Sequence, residues 1–321
     1  MMLTLAQAGD GTFWFPAQAA ADASKVDDLF YFVLYVSVFF FLLIMTILSV
    51  FVIRYRRRDD SAPETSPSHN TMLEIVWSVI PTALVVYMFY AGFTGYLEKR
   101  TPPTEAYEVG VVAQKWSWNF TYPNGHTTPV LHLEVDRPVQ LLMSSEDVIH
   151  SLFIPAFREK MDVVPGRYTK MWFTPTIEGV YDLFCTEYCG TSHSEMITKV
   201  VVHPADGPDS FDSWLQEDSD FLAKLSPVEG GKRVYEMRGC AQCHSVDGSS
   251  GNGPSFKGVW GTERAMADGS KVLYDENYVR ESILNPKAKI LAGYEPVMPS
   301  FQGRIKDEEI TALIAYLKSL E

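Results

Sequence analysis

The sequence predicts a multidomain membrane protein with a two-helix transmembrane hairpin, a Greek-key β domain and an all-α C-terminal domain. Long apolar runs lie almost only before residue 100 of the 321, residues 105 to 203 alternate polar and apolar side chains, and the last segment has apolar residues at helical spacing. The predicted parts are an N-terminal arm (1–28), the hairpin (29–100), the β domain (101–203), a linker (204–226) and the C-terminal domain (227–321).

Two apolar runs predict the hairpin. Leu29 to Ile53 holds 25 residues without a charge, enough at about 1.5 Å per residue to cross a hydrocarbon core of ~30 Å. A basic cluster follows, which predicts that this end is cytoplasmic and the N-terminus outside: Arg54, Arg56, Arg57 and Arg58. Thr71 to Leu97, with Pro81 inside, is the second run and returns the chain to the outer face. The arm lacks the features of a secretory signal.

The net charge of -13 lies mainly in residues 101 to 226, where 8 Lys and Arg stand against 18 Asp and Glu. Such an acidic surface argues against a nucleic-acid partner and favours a basic protein partner docked by electrostatic steering. A merely soluble surface has the same composition, so charge alone leaves both interpretations open.

Period-two patterns predict the strands of the β domain. Leu131 and Leu133 alternate with His132, and a similar alternation ends at His203, so we predict both histidines, and His126 beside the Pro123-Asn124-Gly125 turn, on the surface. Several short strands separated by turns indicate a Greek-key sandwich or barrel.

One loop concentrates soft metal ligands. Cys185, Cys189, His193 and Met196 follow one another at intervals of four, four and three residues. Thiolates, imidazole and thioether suit copper, and two thiolates can bridge two metal ions. A structural zinc site and a disulfide are the alternatives, but zinc rarely uses Met and a disulfide leaves the His and Met unexplained.

With His150 upstream, this loop resembles the dinuclear copper A centre of subunit II of haem-copper cytochrome c oxidases. The resemblance implies a cupredoxin domain in which Cys185 and Cys189 bridge two coppers, His150 and His193 bind one each, and Met196 and the Glu187 carbonyl are weak axial ligands. It also implies that the Glu187 side chain reaches a magnesium ion shared with subunit I. By itself a lone Glu in a loop is more often a solvated acid.

Two more residues gain a role only from the resemblance. Trp116 is similar in position to the tryptophan that lies on the surface above the copper pair, where electrons arrive from cytochrome c. Trp118 is predicted in the core. Glu74, in Leu73-Glu74-Ile75-Val76-Trp77, resembles a glutamate at the mouth of a proton channel into subunit I, whereas helix electrostatics alone favour a simple N-terminal acid.

The second metal site is Cys240-Ala241-Gln242-Cys243-His244, the C-x-x-C-H motif of covalent haem c attachment. A redox dithiol needs no following His and comes with a βαβ pattern absent here. Met298 is the predicted sixth iron ligand. Together with predicted helices at 278–286 and 307–320, the segment resembles a class I cytochrome c, as fused to subunit II in caa-type oxidases.

This resemblance implies a respiratory role. Electrons would pass from haem c to copper A and on to subunit I, which reduces oxygen to water and pumps protons, and the donor would be a cytochrome c or a quinol-oxidising complex. The implied location is the bacterial plasma membrane, with both soluble domains on the outer, periplasmic face and other oxidase subunits beside subunit I. The alternatives are a stand-alone membrane-tethered electron carrier, a nitrous oxide reductase and a zinc-stabilised binding domain.

Overall fold

A computed structural model describes residues 11–57 and 67–320 and divides the chain into two compact units. One unit is the helical hairpin, Ala21–Thr104, and the other contains the rest of the described chain. The first ten residues of the predicted arm, Arg58 of the predicted basic cluster and most of the loop after it lie outside the described residues.

The hairpin consists of helices α1 (Ala23–Arg54) and α2 (Thr71–Arg100), and both are long and apolar enough to cross a membrane. α1 begins six residues before the predicted apolar run, so it takes in the end of the predicted arm. The two helices touch through Phe32 and Tyr87, whose ring centroids are 5.1 Å apart. At the open end Lys99 pairs with Asp22 at 3.2 Å. The apolar side chains along the spans are largely exposed, as lipid-facing helices require.

The β module, residues 105–203, is a sandwich of two five-stranded sheets. The strands are β1 (Tyr107–Gln114), β2 (Ser117–Thr121), β3 (Thr127–Thr128), β4 (Leu131–Glu134), β5 (Val139–Ser145), β6 (His150–Ile154), β7 (Glu159–Val163), β8 (Thr169–Phe173), β9 (Gly179–Cys185) and β10 (Ile197–His203). The first sheet has the strand order β3-β2-β1-β5-β8 and the second has the order β4-β10-β9-β6-β7. β1 pairs with β5, and β4 with β10, in parallel, so each sheet joins distant parts of the chain.

Alternating side chains from both sheets fill the core between them, and Trp118, as predicted, is one of the largest that are fully buried. Residues before the hairpin also belong to this module. Ala19 is 0% exposed and its N–H donates to the carbonyl of Ala156 at 2.9 Å, while Ala20 forms a β-bridge with Pro175. The predicted arm is therefore partly an integral edge of the sandwich.

The prediction that three histidines lie on the surface is wrong. His126 and His203 are buried, and His132 stacks on Trp214 with ring centroids 3.8 Å apart. Trp214 lies on α3 (Phe211–Ser219), a helix of the linker that covers this side of the sandwich. The polar positions of the strands thus face a part of the chain that comes later in the sequence.

The C-terminal module, residues 227–320, packs around α5 (Pro227–Met237) and α7 (Asp307–Lys318). A Cβ at Gly231 would lie 2.0 Å from the carbonyl oxygen of Ala312, so glycine is required where these helices cross. The other elements are α4 (Phe221–Lys224) in the linker, the hairpin β11 (Glu263–Ala265) and β12 (Lys271–Leu273), and α6 (Glu276–Leu284). Met237 and Met266 are buried.

Candidate metal centres

The two cysteines of the predicted copper loop lie at one end of the sandwich with their Sγ atoms 3.9 Å apart. His150 Nδ1 is 3.9 Å from Cys185 Sγ, and His193 Nδ1 is 3.4 Å from Cys189 Sγ. The ligand atoms of His150, Cys185 and Cys189 all lie within 4.8 Å of one another. The structure therefore brings two thiols together with one imidazole beside each.

Two weaker donors complete the set. The Sδ atom of Met196 is 3.8 Å from Cys189 Sγ, and the backbone carbonyl oxygen of Glu187 is 3.3 Å from Cys185 Sγ. Each sulfur thus has one further donor on its own side. The Glu187 side chain is exposed, so its predicted contact with magnesium remains a prediction.

The loop has this shape because β9 ends at Cys185 and β10 starts at Ile197, next to each other in the sheet. The N–H of Cys185 donates to the carbonyl of Met196 at 3.1 Å, which closes the loop, and His193–Glu195 forms one turn of 3₁₀ helix inside it. Gly190 has φ +123°, and a Cβ there would lie 3.3 Å from the indole of Trp116. The loop therefore wraps tightly over that tryptophan.

The electrostatics fit a bound cation. Burial opposes ionisation of Cys185, but its contacts with His150 and with the backbone lower the pKa of that thiol to about 6. Burial and the neighbouring Cys185 thiolate raise the pKa of Cys189 to about 12. One thiolate forms readily and the second needs added positive charge, which is what metal ions supply to a dithiolate site. The residues present fit a copper pair, because the donors are soft and number two sulfurs, two imidazoles and two weak ligands.

Asp147 is a residue of this site to which the sequence analysis gave no role. Its carboxylate accepts hydrogen bonds from His150 Nε2 at 2.9 Å and from the N–H of Lys115 at 2.7 Å. Because Nε2 donates this hydrogen bond, Nδ1 of His150 carries no hydrogen. Its lone pair faces the sulfurs and is available to bind a metal. The only sequence signal for this role is a carboxylate three residues before a candidate ligand.

The haem motif lies in the C-terminal module, where Cys240, Cys243 and His244 line one side of a cavity that also contacts Met298. All four cysteines of the chain lie within the described residues and are free thiols. The other lining is mostly apolar, with Val279, Ile283, Leu291, Phe301, Leu313 and Leu317. An apolar cleft with two thiols on one wall and a His and a Met within it fits a covalently bound haem.

Hydrogen bonding and packing fix the orientation of His244. Its Nδ1 donates to the carbonyl of Pro254 at 2.8 Å, so Nε2 is unprotonated and can bind a metal. The ring stacks on Phe256 with centroids 4.5 Å apart. A Cβ at Gly253 would lie 2.6 Å from the imidazole, so this position accepts only glycine.

Two predicted site residues differ in setting from what the resemblance implied. Trp116 is 8% exposed and so is not on the surface, and the copper loop passes over its indole at Gly190. Glu74 helps to cap α2 from its fourth position: the Asn70 N–H donates to Glu74 Oε1 at 3.1 Å, and Asn70 Oδ1 accepts from the Leu73 N–H. The structure therefore gives Glu74 a local role at the start of α2.

Three family descriptions match the chain. Residues 8–93 match the transmembrane domain of cytochrome c oxidase subunit II, residues 126–203 match its periplasmic domain, and residues 228–321 match cytochrome c. A cytochrome c oxidase subunit 2 of Alkalihalophilus pseudofirmus is 31% identical over 297 residues, which cover 87% of this chain and 82% of the relative. That of Synechocystis is 31% identical over 249 residues, covering 62% of this chain and 74% of the relative.

Solved structures give weaker matches. The periplasmic domain of subunit II of cytochrome oxidase from Bradyrhizobium japonicum is 24% identical with a TM-score of 0.35, over 38% of this chain and 99% of that chain. A chain from a haem-copper terminal oxidase dimer is 22% identical with a TM-score of 0.32, over 41% of this chain and 97% of that chain. TM-scores this low support no argument about the chain.

Proposed function

Because the chain belongs to the family of cytochrome c oxidase subunit II and carries a C-terminal cytochrome c domain, we propose that it passes electrons from a covalently bound haem c to a copper A pair and on to subunit I. There, oxygen would be reduced to water with proton pumping. The observation that carries this proposal is the cluster of two thiols, two imidazoles and a thioether at one end of the β module, in which only His193 is partly exposed.

The copper pair would be held by Cys185, Cys189, His150 and His193. Met196 and the Glu187 carbonyl would be weaker ligands to it. A closed, buried donor set limits rearrangement of the ligands, which suits electron transfer better than substrate binding. Asp147 would hold His150 in the tautomer that leaves Nδ1 for copper.

At the haem site, Cys240 and Cys243 would form the covalent links to the haem, and His244 and Met298 would bind its iron. When bound, the haem and the copper pair supply reversible one-electron oxidation and reduction. The Pro254 carbonyl orients His244, and the apolar lining excludes water from the cleft. A neutral His with a Met is the ligand pair that raises the potential of a cytochrome c.

The remaining assignments of this proposal concern location and partners. The two long helices would place the chain in the bacterial plasma membrane as a two-span protein, with both soluble modules on the periplasmic face. Subunit I, other oxidase subunits and an upstream cytochrome c or quinol-oxidising complex would be the partners. Trp116 would take part in electron entry to the copper pair, Glu74 would lie near a proton-channel entrance, and Glu187 would reach a shared magnesium ion.

Electron paramagnetic resonance of the purified chain tests the copper assignment. One electron shared by two equivalent coppers gives more hyperfine lines than one copper can, so we expect this signal in the wild type and its loss in Cys185→Ser. A single-copper spectrum, or zinc without copper, would overturn the proposal. Copurification with a multi-helix, haem-containing subunit after detergent extraction supports the oxidase role, whereas a lone 36.2 kDa chain supports a stand-alone carrier.

A further inference from the structure

The haem cavity is not enclosed by the C-terminal module alone. Its lining includes Gln114, Lys115 and Ser117, which belong to the turn between β1 and β2 of the β module. A Cβ at Gly239, next to the haem motif, would lie 3.6 Å from Cβ of Ser117. The turn that carries Trp116 therefore forms a wall of the haem site, and the two modules meet where both redox groups would be bound.

An arginine connects this turn to the loop that carries Met298. Arg304 Nη1 donates to Gln114 Oε1 at 2.7 Å, and Nη2 forms an ion pair with Glu146. The same Nη2 also donates to the carbonyl of Ser300, two residues after Met298. We call this set of contacts the Arg304 bridge. Because Glu146 precedes Asp147, which binds His150, the bridge leads from a haem-ligand loop to a copper-ligand segment.

A second contact links the other haem ligand to the other copper histidine. Asn252 Nδ2 donates to Ser192 Oγ at 2.8 Å, and we call this contact the Asn252 bridge. Ser192 is buried and directly precedes His193, while Asn252 lies beside Gly253 and Pro254, which hold His244 in place. Each axial-ligand loop of the haem site is therefore tied to one histidine segment of the copper site.

From this pairing we infer that Arg304 and Asn252 are positioning residues that hold the haem site in a single pose on the copper site for electron transfer within the chain. This inference rests on the proposed function. The step served would oxidise the haem iron from ferrous to ferric and reduce the copper pair by one electron, with no bond made or broken. The C-terminal module of the same chain would therefore dock at the turn that carries Trp116.

Physical arguments favour a fixed pose over a loosely tethered one. A guanidinium that holds three acceptors loses less freedom per hydrogen bond than a flexible ammonium, and charge-assisted bonds are the stronger kind. Within one chain the effective concentration of one module near the other is high, so two polar bridges suffice to select one orientation. Two bridges on different loops also restrict rotation, which a single contact does not.

The experiment uses the full chain with haem and copper bound. Light-driven reduction of the haem is followed by the copper absorption, which gives the rate of internal electron transfer, and hydrogen–deuterium exchange of residues 114–117 and 190–194 gives a readout independent of activity. We expect Arg304→Gln with Asn252→Ala to slow the transfer by about tenfold and to increase exchange in both segments. Arg304→Lys should restore part of the rate.

Arg280→Gln is the matched control, because Arg280 pairs with Asp307 inside the C-terminal module and has the same charge. It should transfer electrons as the wild type does. If the double variant keeps wild-type rate and exchange, the inference is wrong. If Arg304→Gln fails to bind haem, Glu146→Gln breaks the same bridge from the β module and gives the deciding result. A wild-type chain whose haem is reduced while its copper never is would instead refute the proposed function.

Discussion

Asp147 fixes the orientation of His150 by accepting a hydrogen bond from its Nε2 at 2.9 Å, and the other carboxylate oxygen holds the backbone of Lys115. One side chain therefore joins a copper-site histidine to the peptide that precedes Trp116. Burial opposes protonation of His150, but the bonds to Asp147 and Cys185 raise its pKa overall. These bonds hold the ring in one orientation.

We expect Asp147→Ala to weaken copper binding by about 10- to 100-fold, because outer partners of ligating histidines commonly contribute that much to affinity. Competition with a chelator, followed by the copper absorption, measures the change. Asp182→Ala is a suitable control, since Asp182 pairs with Lys199 on the exposed side of β9. Equal copper retention in both variants would contradict this role for Asp147.

Acid should destabilise the β module through His132 and His203. Burial lowers the pKa of both, that of His132 to about 2. The unfolded chain takes up protons below about pH 6.5 that the folded chain excludes, so stability is full above this pH and is lost as the pH falls.

For His132 the free energy of unfolding should fall by up to about 1.4 kcal/mol for each pH unit below about pH 6.5. Urea unfolding of the full chain at pH 7 and pH 5 measures it. His132→Gln should have lower stability at pH 7 and a shallower decline than the wild type. If the free energy of unfolding falls by the same amount between pH 7 and pH 5 in both proteins, His132 does not contribute to the pH dependence.

Gly253→Ala should prevent formation of the haem site. The new methyl group would lie 2.6 Å from the His244 ring, so the imidazole would have to move away from the cavity. Haem staining on a denaturing gel and the visible spectrum measure attachment and axial ligation. Gly258→Ala is the control: its φ of +64° costs about 1 kcal/mol, but nothing lies within 4 Å of the new atom. Normal axial ligation in Gly253→Ala would contradict the crowding argument.

The buried pair of Arg238 and Glu309 should be a strong determinant of stability in the C-terminal module. Arg238 Nη2 donates to both carboxylate oxygens, at 2.7 and 2.8 Å. Arg238→Met leaves the carboxylate buried without its partner, which should lower the free energy of unfolding by about 3–5 kcal/mol. Adding Glu309→Gln should recover part of this loss. Denaturant unfolding of the four variants of the cycle tests it, and additive losses would rule out a coupled pair.

Sequence patterns were sufficient where the chemistry is local. Cys185 to Met196 and Cys240 to His244 carry their candidate ligands in short segments, and the spans and main helices follow from composition and periodicity. Patterns were insufficient where one part of the chain covers another. Period-two alternation correctly placed His132 on the outer face of its sheet. That face is not solvent-exposed, because Trp214, far along the chain, covers His132. Likewise Trp116 is buried by packing between parts of the chain that no local pattern reports.

Ala19 and Ala20 have a consequence for biogenesis. They leave the ribosome before the hairpin, but their partners Ala156 and Pro175 are synthesised only after both helices and most of the strands. The sandwich closes its last edge through contacts of long sequence separation, and these are slow to form. That edge can close only when the N-terminus and the β module lie on the same side of the membrane, so completion of the fold reports that the hairpin has returned the chain to the side where it began.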